Sequence, residues 1–295
     1  MKIGFALAIG ALLAAGAASV ETALVPDPPL ECDRCANWNK PHEPFKVYGN
    51  TYYVGVAGLS SILIASKGGL IVIDGALTQS APLIADHIHA LGFRLEDVKL
   101  VLNSHIHFDH AGGLAALVRA SGAEMAASVE SAKAIEQGAP TPEDPQIGYG
   151  GKFPAIKNVR VVADGETLHV CDLAITAHYT PGHTPGGTTW IWKSCENGRC
   201  MNMVYADSLN AVSAPGYKFS DHPAYVEKFR KSIKTVASLP CDILLTPHPD
   251  LIGMEDKLTS WRQHPETNPF VDTGTCRAYA EAAEKRLDTR LVQER

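Results

Sequence analysis

The feature that most restricts how this chain can fold is the run Ser104-His105-Ile106-His107-Phe108-Asp109-His110. Three imidazoles and a carboxylate fall within six residues, after an apolar stretch (98–103) and before Gly112-Gly113. The apolar stretch reads as a strand. If the strand continues, His105 and His107 point to one side, because side chains alternate along an extended backbone. Asp109 and His110 can then turn back to the same point from the loop that follows. A fold built on this segment has to gather metal-binding side chains at a strand end. Imidazole and carboxylate donors together suit Zn(II) better than manganese or iron.

Two further histidines sit in comparable places. His183 lies in Thr180-Pro181-Gly182-His183-Thr184-Pro185-Gly186-Gly187, a turn after a predicted strand at 175–178. His248 follows Thr246-Pro247, just past a predicted strand at 243–246. With His105, His107, Asp109 and His110 they make six candidate ligands, enough for two zinc ions with three protein ligands each. A catalytic zinc keeps one position open for water, and two adjacent ions can share it. Asp74 closes the apolar strand at 70–74 and is a candidate acceptor for a ligand histidine's N–H. His87 and His89 are two apart on a predicted helix and do not share a face. His42, His169, His178, His222 and His264 read as structural or exposed.

Periodicity places short strands at 51–56, 61–65, 70–74, 98–103, 124–127, 159–162, 168–170, 175–178, 188–193, 203–205 and 243–246. Helical spacing covers 80–91, 113–121, 129–137, 224–239 and 277–287. Residues 26–45 read as an extended arm, and the Pro- and Gly-rich 138–153 as a long loop of the kind often tied to function. This mixture predicts two sheets packed face to face and covered by helices. No linker or strong internal repeat divides the chain.

The N-terminus carries Lys2, an apolar stretch at 3–13 and the small residues Ala15-Gly16-Ala17. Residues 1–18 are expected to be a cleaved signal peptide and 19–295 a single domain. No other apolar run is long enough for a membrane anchor. The net charge of −6 argues against non-specific nucleic-acid binding. Seven cysteines suit an oxidising compartment. Cys195 and Cys200 flank a turn-like segment and could close a small loop. Cys241 and Cys276 could tie a strand start to a C-terminal helix. Cys32-x-x-Cys35 lacks the strand–helix context of a redox motif. Cys171 is left over and is expected to be a buried free thiol. The pairing stays open at this level.

The His-x-His-x-Asp-His run, the later Pro-Gly-His183 and the strand-end His248 resemble the metallo-β-lactamase superfamily over nearly the whole mature chain. The resemblance implies an α+β fold: a four-layer αββα sandwich of two mixed β-sheets flanked by helices, with metals at one edge. Tyr205-Ala206-Asp207-Ser208-Leu209, the segment 239–249, and Cys276 followed by Ala278-Tyr279-Ala280 are similar to subclass B3 β-lactamases. By that resemblance His105, His107 and His183 bind one zinc, and Asp109, His110 and His248 a second. Ser208 stands where another subclass has a cysteine ligand. Ser208 and Ser213 are implied near the substrate carboxylate. The implied disulfide is Cys241–Cys276, and Cys195–Cys200 is similar to a pair in some members.

The activity so implied is hydrolysis of the amide bond of penicillins, cephalosporins and carbapenems by a metal-bridging hydroxide that Asp109 orients. This would confer antibiotic resistance from the periplasm. A small-molecule β-lactam is the only partner expected, and the chain is expected to be a monomer. Trp38, Gln146 and the loop 138–153 are expected to border the cleft. One rival is a glyoxalase-II-like thioesterase or lactonase of the same superfamily, in which Asp207 would bridge both metals. The other is a non-catalytic periplasmic zinc-binding protein.

Overall fold

A computed structural model describes residues 24–149 and 151–295, so the expected signal segment 1–18 lies outside the described residues. The first sheet takes seven strands in chain order. They are β1 (Phe45–Tyr48), β2 (Thr51–Tyr53), β3 (Ile62–Ala65), β4 (Leu70–Ile73), β5 (Val98–Leu102), β6 (Glu124–Ala127) and β7 (Arg160–Val161). Pairing is antiparallel from β1 to β4 and parallel from β4 to β7. The second sheet contains β8 (Thr167–Val170), β9 (Leu173–Tyr179), β10 (Thr188–Glu196), β11 (Arg199–Tyr205) and β12 (Ile243–Leu245). All of its pairs are antiparallel except the parallel β11–β12.

Among the described residues eight α-helices accompany the sheets: α1 (Cys35–Trp38), α2 (Ala81–Ala90), α3 (Phe108–Ala111), α4 (Leu114–Ser121), α5 (Val129–Gln137), α6 (Pro223–Ser238), α7 (Met254–Gln263) and α8 (Thr275–Gln293). The alternation of strand side chains sorts them into layers. On β4, Ile71 and Ile73 pack with Ile175, Trp190 and Trp192 of the second sheet. Leu70 and Val72 of the same strand face the other way, onto Ile84 and Ile88 of α2 and Leu117 of α4. On the far side of the second sheet lie Phe229 and Ile233 of α6 and Ala283 and Leu287 of α8. The order is helices, sheet, sheet, helices. All four residues of β3 and of β4 are buried, as expected where both faces of a sheet are covered.

Several local expectations are corrected. The strand expected at 51–56 stops at Tyr53, because Val54 and Val56 pair instead with Ser61 and Leu59 in a tight turn. The 26–45 arm is not wholly extended: α1 and the start of β1 fall within it. α7 carries only Met254 and Leu258 as buried residues, too little apolar pattern to announce it. α8 runs well past the expected 277–287. Cys171 is exposed, not buried: it stands in the tight β8–β9 connection at φ 52° with its thiol donating to the Gly68 carbonyl. No helix of the described residues is long and apolar enough to cross a membrane.

Three disulfides form, Cys32–Cys35, Cys195–Cys200 and Cys241–Cys276. Cys195 and Cys200 face each other across the β10–β11 hairpin. Cys241–Cys276 ties the entry of β12 to α8 across 35 residues of chain. Closing a loop of that length restricts the unfolded chain by about 3–4 kcal/mol, against about 2 kcal/mol for the short Cys195–Cys200 loop. Urea unfolding should therefore show a larger loss of stability in a Cys241→Ser/Cys276→Ser variant than in Cys195→Ser/Cys200→Ser. Equal losses would contradict this assignment of the main covalent tie.

Candidate metal centre

The strand directions bring the candidate ligands to one edge. β4 and β5 are parallel, so their C-terminal ends lie together. β9, β11 and β12 also run the same way, since β9 and β11 flank β10 antiparallel to both. Asp74 follows β4 and His105 follows β5. His183 follows β9, Asp207 follows β11 and His248 follows β12. His105 and His107 lie past the end of β5 and so do not continue the strand. Asp109 and His110 stand on the short helix α3, which swings them back towards His105. The segment after α3 packs tightly beneath the site. A Cβ on Gly113 would come within 2.2 Å of the Gly75 carbonyl oxygen, which explains the Gly-Gly pair there.

Two groups of three result. His105, His107 and His183 form one, and Asp109, His110 and His248 the other. Each could hold a metal ion, with ligand atoms within 4.8 Å of one another. The rings of His105 and His110 are 4.3 Å apart and join the two groups. Five of the six residues are buried and His248 is half-buried.

Hydrogen bonding on the outer side of each ring decides which nitrogen faces inwards, because a carbonyl or carboxylate can only accept. His183 Nδ1 donates to the Asn210 carbonyl at 2.8 Å, which leaves Nε2 as a lone pair. His107 Nε2 lies 3.3 Å from both Asp144 oxygens, which leaves Nδ1. These two inward nitrogens are 3.1 Å apart. His105 Nδ1 lies 2.8 Å from Asp207 Oδ1, and its buried Nε2 has no hydrogen-bond partner. In the other group His248 Nδ1 faces the Gly58 carbonyl at 3.3 Å, and its Nε2 stands 3.3 Å from both His110 Nε2 and Asp109 Oδ2. Buried lone pairs aimed at one another are unfavourable unless a cation lies among them. The residues therefore fit a metal.

The titration of His105, His183 and Asp109 agrees, whereas the hydrogen bond and charge of Asp109 raise His248 against its burial. Burial, and then the neighbouring rings, push His105 well below the usual imidazole range, so it is neutral. Burial does the same for His183. Burial alone would raise the Asp109 carboxyl, but the adjacent His110 and the hydrogen bonds from His110 and His248 outweigh it and hold Asp109 well below the usual range. Neutral imidazoles and an ionised carboxylate are the forms that bind metal.

The expectation that Asp74 accepts directly from a ligand ring is not met. Its carboxylate accepts from Ser104 N (2.7 Å), Ser104 Oγ (2.6 Å) and Tyr205 OH (2.8 Å), and reaches His105 only through Ser104. The carboxylate that faces the His105 ring is Asp207. Ser208 is wholly buried and its hydroxyl has no partner. Ser213 Oγ accepts from Arg290 at 2.8 Å and donates to the Tyr217 carbonyl. Gln146 Nε2 lies 3.4 Å from His183 Nε2 and 3.5 Å from His107 Nδ1, and the Trp38 ring is 5.4 Å from that of His248. Asp144 and Asn210 escaped the sequence reading. Their only local signal is a place in the long loop and in the segment after Ser208.

Gly187 lets the Asp207 carboxylate approach. A Cβ there would fall 2.1 Å from Asp207 Oδ2 and 2.7 Å from the Thr180 carbonyl. Gly187→Ala should therefore displace Asp207 from His105 and lower zinc binding by the His105 group about tenfold or more. Unchanged zinc content in the folded variant would count against this role for Asp207.

Residues 54–194 match the family described as the metallo-beta-lactamase superfamily. The solved Rm3 metallo-β-lactamase is 49% identical, with a TM-score of 0.87 over 90% of this chain and 99% of that one. MEM-A1, a subclass B3 metallo-β-lactamase from a soil metagenome library, is 50% identical, with a TM-score of 0.84 over 87% of this chain and 98% of that one. A hydroxyacylglutathione hydrolase of Anaeromyxobacter dehalogenans is 28% identical over 149 residues, 46% of this chain and 48% of the relative. The chain spans about half the length of the curated relatives it matches. With a shared architecture and about half of its residues in common over nearly all of both solved structures, the chain belongs to the metallo-β-lactamase superfamily, where it resembles the subclass B3 enzymes.

Proposed function

We propose that this chain is a zinc-dependent β-lactamase that opens the amide bond of penicillins, cephalosporins and carbapenems. The observation that carries the reading is the pair of three-residue groups, built from five histidines and Asp109 with no thiolate. His105, His107 and His183 would hold one zinc, and Asp109, His110 and His248 the other. Zinc bound there would bring the pKa of water to about 7 and polarise the lactam carbonyl. Asp109 is the catalytic carboxylate. Its Oδ2 faces His110 and His248, each at 3.3 Å, which leaves Oδ1 to accept a hydrogen bond from the attacking water and orient it. Burial holds His105 and His183 neutral, and outer partners fix the rings of His105, His107 and His183, so the reacting groups need little rearrangement. Gln146 and Trp38 flank the two groups and would border the bound lactam. Ser208 and Ser213 would serve its carboxylate. Ser208 has an unpartnered but wholly buried hydroxyl, while Ser213 is already held by Arg290.

Export through a cleaved segment at residues 1–18, action as a monomer in the periplasm and a role in antibiotic resistance complete the proposal. The thioesterase or lactonase reading needs Asp207 between the two metals. Asp207 Oδ1 instead faces His105 Nδ1, on the outer side of that ring, which speaks against it. The zinc-storage reading leaves the ionised Asp109 at the junction of the two groups without a task.

Zinc-loaded protein should hydrolyse a carbapenem and a chromogenic cephalosporin, and a chelator should abolish this until zinc is restored. A fully loaded protein that opens no β-lactam would defeat the proposal. His110→Ala should reduce bound zinc from two ions to one per chain, read by elemental analysis. Retention of two would mean that the ligand partition is wrong.

A further inference from the structure

We propose that Asp144 is a positioning residue for His107, through which the loop between α5 and β7 becomes part of the first metal group. The inference rests on reading His105, His107 and His183 as a metal site, and not on what substrate is hydrolysed.

Asp144 is 1% exposed, in a loop otherwise rich in Pro and Gly. A carboxylate this deeply buried needs compensating donors. It has two. Gln146 N donates to Oδ1 at 2.7 Å, and His107 Nε2 stands 3.3 Å from Oδ1 and from Oδ2. The first contact folds the loop onto itself, together with Asp144 N to the Thr141 carbonyl and Ile147 N to the Asp144 carbonyl. The second fixes the ring of His107. With its proton held at Nε2, His107 can offer only Nδ1, the nitrogen that faces His183 Nε2. One carboxylate thus sets both the loop conformation and the tautomer of a ligand. The loop is further tied by the Pro145 carbonyl, which accepts from Ala214 N in the segment that also carries Asn210, the acceptor for His183. Two of the three rings in this group are therefore aligned by two segments bonded to each other. Among the described residues, no hydrogen bond ties Asp109, His110 or His248 to the loop.

Linkage makes the coupling reciprocal: if the loop aligns the ligand, metal at the ligand steadies the loop. Competition titration against a chromophoric chelator, in a His110→Ala background that isolates the first group, should show zinc affinity falling about 10- to 100-fold in Asp144→Ala. Asp144→Asn keeps one acceptor oxygen and should lose less. In the otherwise native chain, binding by Asp109, His110 and His248 should be unchanged in both variants. Zinc should also slow amide exchange at residues 141–149 of the native protein, and this protection should vanish in Asp144→Ala. First-group affinity within twofold of the parent in Asp144→Ala overturns the proposal. If that variant does not fold, exchange in the native chain decides, and absence of zinc-dependent protection at 141–149 overturns it. Failure to hydrolyse β-lactams would leave these zinc readouts intact, so the two proposals fail separately.

Discussion

The arrangement depends on an electrostatic conflict: nitrogen lone pairs are pressed together in a largely buried cluster. His107 Nδ1 and His183 Nε2 face one another at 3.1 Å, with the unpartnered Nε2 of His105 in the same cluster. Left to themselves, buried polar groups move apart or recruit protons. Here neither is open to them. The outer nitrogen of each ring is already engaged: His105 Nδ1 with Ser104 Oγ beside Asp207, His107 Nε2 with Asp144, and His183 Nδ1 with the Asn210 carbonyl. Burial in turn disfavours the charged form. The site is a cost borne by the fold, and a bound cation relieves it.

The sandwich bears that cost through rigid attachment. His105, His107, His183 and His248 stand just past strand ends, and Asp109 and His110 on the short helix α3 that follows β5. Behind His105, Asp74 sits at φ 63°, a left-handed conformation unusual for a residue with a Cβ. Four donors to its carboxylate hold it there. Behind Asp207, Tyr279 of α8 donates to the Asp207 carbonyl and accepts from Leu209 N. The Cys241–Cys276 bond anchors the start of α8 beside β12. The last helix thus belongs to the support of the site as much as the sheets do.

Much of this was legible in the sequence, and what was missed has physical causes. The His105–His110 cluster is local, so it stands out without tertiary knowledge. His183 and His248 acquire meaning only from their place at strand ends and from the family resemblance. The layers followed from period-two strands with fully apolar residues on both faces, as in β3 and β4. Asp207 was visible, but nothing local says that it faces the outer nitrogen of His105 instead of a metal. Asp74 was assigned one contact too close, because the intervening Ser104 hydroxyl cannot be read from spacing. Asp144 lies in a segment without periodicity, and its significance comes from a ring 37 positions earlier. α1 is too short and α7 too polar to show a helical stripe. Cys171 looked like a small apolar core residue, yet its tight turn directs it outwards.

The distribution of ligands along the chain has a consequence for assembly. The first group needs residues 105 to 183, and the second spans 109 to 248. Asp207 is pinned by a tyrosine at 279, so no short fragment of the chain contains a supported site. Contacts at such separations form late, after loop closure between distant segments. A chain emerging from its N-terminus would expose His105, His107, Asp109 and His110 together well before their partners arrive. Four adjacent donors without a scaffold offer a loose, promiscuous grip on any passing divalent ion. Only the completed sandwich brings both three-residue groups together, so any choice among metal ions has to wait for the end of folding.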